Sequence, residues 1–123
     1  MDEGIEFFEN KGTERLAKEL CEEIKRSKEY VYYFKCLAEL KEQPELYAEI
    51  NEVRRQNFEL QNSNTSDISY EQYAQLSARM TNLRKNPLVS KFLNSELAIG
   101  RLISSVYRQI MEGIDLDMDF LDD

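Results

Sequence analysis

Apolar and polar residues alternate along this chain with the period of an α-helix. The longest such stretch is Asn86 to Gly113. Val89, Phe92, Leu93, Leu97, Gly100, Ile103, Val106, Tyr107 and Ile110 recur there at steps of three and four residues. That spacing lays one apolar stripe along one side of a helix. Asn86 suits the N-cap, Pro87 the first helical position, and Gly113 the stop. At ~1.5 Å per residue the helix is roughly 40 Å long, against ~30 Å for the width of a small domain. Either the other helices lie along this one or a second chain helps to cover it.

The earlier segments repeat the pattern at shorter length. Thr13 is the expected cap of a first helix with the stripe Leu16, Ala17, Leu20, Cys21 and Ile24. Ser27 interrupts it and resembles a new N-cap, so a bend is expected, with a continuous helix as the alternative. The run EYVYYFK has strand-like composition, but Tyr30, Tyr33, Phe34, Leu37 and Leu40 keep helical spacing. Its tyrosines serve either as core with hydroxyls reaching water or as an aromatic patch for a partner. Pro44 opens a third helix reaching about Leu60, with Leu46, Ile50 and Val53 on one side. Asn57 falls inside this stripe, at its solvent edge or as a buried polar residue fixing register. Residues 61–67, QNSNTSD, form a linker. Ser69 with Gln72 has capping-box spacing and Ile68 with Tyr73 staple spacing, so a fourth helix is expected from Tyr70 to about Lys85. The fold class expected is all-α, an antiparallel helical array of four to five helices with a long C-terminal helix and no sheet. Residues 1–12 are a lead-in, 13–114 the helical domain, and 115–123 an acidic tail.

Composition narrows the chemistry. A length of 123 residues fits one domain, and 33% charged with 41% hydrophobic residues fits a helix-rich protein. No window holds a membrane-length apolar run, and the acidic start MDEGIEFFENKG is unlike a signal peptide, so a cytoplasmic location is expected. A net charge of −8 repels a phosphate backbone, and no dense basic patch offsets it, which disfavours direct nucleic-acid binding. There is no His, which removes the commonest general base and the Glu-x-x-His ligands of a di-iron bundle. No phosphate-cradling loop or nucleophile elbow is present. Neither catalysis, a metal site nor a cofactor is expected. Cys21 and Cys36 read as buried small hydrophobes on helical faces.

Five of the last nine residues are Asp. They alternate with apolar positions, and they miss the calcium-loop pattern. This segment is either a solvated acidic tail or a docking peptide anchored by Leu116, Met118 and Phe120. The long helix carries a small positive excess from Lys91, Arg101 and Arg108, so the tail could fold onto its own body or onto a sister subunit.

The order LAKELCEEIKRSKEYVYYF, PELYAEINEVRRQNFELQ and NPLVSKFLNSELAIGRLISSVYRQIMEGI resembles the YlbF/YmcA family of small helical bacterial proteins, over about residues 13–114. The resemblance implies self-association through helices, as a homodimer or higher oligomer, and a regulatory role without catalysis. It also implies a protein partner, an RNase Y-type endoribonuclease complex, and through it an influence on mRNA processing, competence, sporulation and biofilms. Some relatives hold iron–sulfur clusters with C-terminal cysteines. This chain has Asp there, and its cysteines lie in the helical body, so no cluster ligand is carried over. The contrasting expectation is a structural or chaperone-like helical oligomer without a role in RNA processing.

Overall fold

The computed structural model describes residues 10–62, 70–117 and 119–121. Five α-helices follow one another: α1 Lys11–Lys25, α2 Lys28–Lys41, α3 Pro44–Gln61, α4 Tyr70–Leu83 and α5 Pro87–Ile114. A single 3-10 turn at Asp119–Leu121 comes after them. No strand occurs among the described residues. The all-α array with its long last helix is as the stripes predict.

Each break has a local cause. The Ser27 hydroxyl donates to the Ile24 carbonyl at 2.6 Å and accepts from the Tyr30 amide at 3.1 Å. One side chain thus closes α1 and caps α2, and the bend takes the place of a continuous helix. Pro44 and Pro87 stand in the first turns of α3 and α5. The Asn86 side chain accepts from the Leu88 amide at 2.9 Å.

Two expected ends are displaced. The first helix starts at Lys11, not after Thr13: the Asn10 side chain caps it by accepting from the Thr13 amide at 3.3 Å. The last helix does not stop at Gly113. It runs to Ile114, and Asp115 takes the left-handed cap at φ 60°, ψ 50°, its amide donating to the Met111 carbonyl. Asp tolerates this conformation through its short polar side chain, so the helix runs past Gly113 and takes in Ile114. The capping pair Ser69 and Gln72 has Ser69 outside the described residues, as does the staple residue Ile68, while α4 begins at Tyr70 as expected and ends slightly early, at Leu83.

The core gathers Cys36 and Leu40 of α2, Ile50 and Val53 of α3, Leu76 and Leu83 of α4, and Val89, Phe92 and Leu93 of α5. Packing is most extensive between α2 and the first half of α5, where the Tyr33 and Phe92 rings stand 5.7 Å apart. Helix α3 lies against both α2 and α4. Arg54 ties α3 to α5: it pairs with Glu96, and its guanidinium stands 5.2 Å from the centre of the Phe92 ring. The buried hydroxyl of Ser95 is satisfied by the Phe92 carbonyl at 2.7 Å. Not all helices lie along α5, however. Helix α4 pairs mainly with α3, and α1 mainly with α2.

On the α3 surface, hydrogen bonds from Arg55 hold the Glu52 carboxyl below the usual range, against a partial desolvation that pushes the other way. A lowered carboxylate pKa stabilises the fold above the unfolded chain's titration range, and this contribution fades as pH falls through the lowered value. Arg55→Ala should raise the Glu52 midpoint in a carboxyl-carbon NMR titration; an unchanged midpoint would remove the ion pair as its cause. Phe92→Ala should lower the unfolding free energy by about 3–5 kcal/mol in denaturant titration, because it empties a fully buried site where three helices meet.

Candidate partner-binding surface

The stripe of α5 lies on one side of one continuous helix, yet its two halves meet different surroundings. Val89 and Phe92 are 0% exposed and Leu93 is 9% exposed. Beyond Ser95 the cover thins: Ala98, Ile99 and Leu102 are only half-buried, and the rest of the stripe opens to solvent. Leu97 is 53% exposed, Ile103 50%, Tyr107 63% and Ile110 44%, with Val106 half-buried. Of the seven residues the sequence placed in a core or oligomer stripe, the fold brings Val89, Phe92 and Leu93 into the core. It leaves Leu97, Ile103 and Ile110 bare.

Helix α1 is the second open element. It buries no residue, although Leu16, Leu20 and Ile24 fall on one face. On α2, Val31 and Phe34 are exposed opposite the buried side that holds Cys36 and Leu40. Periodicity could have revealed Val31, since Ile24, Val31 and Ala38 keep heptad spacing across the bend. Helical spacing predicts Phe34 in a packed stripe and Cys21 on a buried face. Phe34 and Cys21 are both exposed, because none of the described helices covers that side of α1 and α2.

Exposed leucine, isoleucine, tyrosine and phenylalanine side chains gathered on one face in this way mark an interaction surface. Among the described residues, no salt bridge involves a side chain from Leu97 to Ile114: the ion pairs lie near the end of α1, on α3, and between Arg54 and Glu96.

Past the Asp115 cap the chain turns, and the Asp117 carboxylate accepts from the Asp119 amide at 3.1 Å to start the 3-10 turn. Leu116 and Phe120 project into solvent. Met118 lies outside the described residues.

The remaining concavities are shallow. A groove of about 330 Å³ between α3 and α4 is lined by Val53, Asn57, Tyr73, Leu76 and Met80. Asn57 is half-buried along it. A second groove follows α5 past Leu93, Leu97, Gly100 and Ser104, between Arg84 and Arg101. The cysteines do not suit an iron–sulfur cluster, which takes four thiolates in its ordinary form. The chain has two cysteines, and Cys36 is sealed in the core.

A family model described as control of competence regulator ComK, YlbF/YmcA, matches residues 14–115. The chain belongs to the YlbF/YmcA family. That match spans all five helices and ends at the left-handed cap, so the bare half of α5 is part of the family domain. No curated protein and no solved structure matches the chain. A regulatory role follows from the family. No helix among the described residues is long and apolar enough to cross a membrane.

The bare stripe and the covered one should respond differently to truncation. Ile103→Ala should lower the stability of the isolated subunit by less than about 1 kcal/mol, since an exposed side chain leaves no cavity. A loss comparable to that of Phe92→Ala, in denaturant titration at the lowest workable concentration, would contradict the exposure of Ile103. Ser27→Ala should cost about 1 kcal/mol by removing the shared cap.

Proposed function

We propose that this YlbF/YmcA-family protein is a non-enzymatic, cytoplasmic regulatory adaptor. It self-associates through α1 and the distal half of α5. In that form it binds an RNase Y-type endoribonuclease complex and modulates mRNA processing, and with it competence, sporulation and biofilm formation. The observation that carries this reading is the exposed edge formed by Leu97, Ile103, Tyr107, Ile110 and Ile114, continuous with the core stripe yet left open within the chain. A surface of this kind supports binding and offers no convergent set of groups for catalysis.

The test is a binding titration of the full chain against a purified RNase Y-type endoribonuclease. The wild-type chain should bind saturably. The pair Ile103→Asp and Ile110→Asp should weaken binding at least on the order of tenfold, as expected for two charges placed in an apolar interface. Equal binding by both forms would remove the distal stripe from the site. Absence of binding by the wild type, together with suppression of an unfolded client's aggregation, would favour the chaperone-like alternative.

A further inference from the structure

The groove along α5 has one apolar floor and two cationic rims. Leu93, Leu97, Gly100 and Ser104 form the floor, with Arg84 at one end and Arg101 at the other. Neither arginine meets a carboxylate within ion-pair distance among the described residues. Glu96 also borders the groove, but its charge is engaged by Arg54. Gly100 is a helical glycine with no intramolecular reason to be one: a Cβ built there meets nothing within 4 Å. The missing side chain leaves a notch in the floor.

The segment after α5 has the opposite character. Asp115, Asp117 and Asp119 alternate with Leu116 and Phe120, and Leu121 follows. The apolar side chains are exposed, Phe120 at 71%. Its charge and its spacing complement the groove.

We propose that this acidic segment of one copy docks in the α5 groove of a second copy. Phe120 then sits over the Gly100 notch, and the aspartates pair with Arg84 and Arg101. The proposal rests on the self-association proposed above and adds to it the element that fixes the register of the two chains.

Reach decides between the chain's own groove and that of another copy. From Asp115 to Phe120 the chain spans at most about 18 Å when fully extended. Gly100 lies about 22 Å back along the helix from Asp115. The 3-10 turn at Asp119–Leu121 shortens the real span further. Phe120 therefore falls short of its own notch. The groove of a second copy carries no such limit, because the crossing point of the two α5 helices sets where the acidic segment falls on it.

Charge reversal tests this in the full-length chain. Sedimentation velocity at low salt gives the self-association constant of the wild type. It also gives those of a groove variant, Arg84→Glu with Arg101→Glu, and a segment variant, Asp117→Lys with Asp119→Lys. Each variant alone should self-associate on the order of tenfold more weakly, as like charges then face each other. An equimolar mixture of the two should recover the wild-type constant to within about twofold, because both contacts of the mixed dimer regain opposite charges. Dimers of unchanged affinity in either variant, or weakened dimers that mixing does not rescue, overturn the proposal and leave self-association standing. A wild-type chain that stays monomeric overturns both.

Discussion

The structure depends on a mismatch of lengths. Helix α5 carries an apolar stripe over 28 residues, and the body that packs on it is only about half as long. Leu40, Ile50, Val53, Val89 and Phe92 are completely buried in that body, so its packing leaves nothing to spare for the distal turns. Ser27 enforces the mismatch. By ending α1 and starting α2 with one hydroxyl, it turns α1 away from the packed layer, and α1 buries nothing. An amphipathic helix without a partner gains little from its own propensity, so both open elements need cover from elsewhere.

That constraint gives a physical basis to a regulatory role. A surface of exposed leucine, isoleucine and tyrosine on a rigid helix makes partner binding the main source of free energy for any event the protein takes part in. The arrangement also divides tasks. The covered half of α5, tied to α3 through Arg54, is a platform, and the bare half presents a stripe whose register that platform holds. Membership of the YlbF/YmcA family spans both halves, so platform and stripe form one domain.

Much of the fold was legible from spacing. Helical period outweighed the strand-like composition of EYVYYFK, and Pro44, Pro87 and Ser27 marked starts that the structure retains. The two displaced ends illustrate where local rules compete. Asn10 was a better cap than Thr13, and Asp115 accepted a conformation for which Gly113 seemed better suited. The surface was harder to read, for one physical reason. A stripe records that a face will be covered, not by what. Phe92 and Ile103 occupy equivalent positions on the same stripe, and only the length of α2 and the direction of α1 separate a core residue from an exposed one. Phe34 and Cys21 were misplaced for the same reason. The notch at Gly100 had no sequence signal beyond a glycine in a helix, and it acquires meaning only beside Leu97, Arg84 and Arg101.

The central claim is that a second copy covers the bare turns of α5 together with α1. Amide hydrogen exchange followed across a series of protein concentrations tests it at the residues concerned. Coverage by a second copy predicts that protection in 97–114 and 11–25 rises with concentration, while protection in the first half of α5 and in α2 stays constant. Exchange in 97–114 that is fast and independent of concentration up to the highest micromolar range would contradict it.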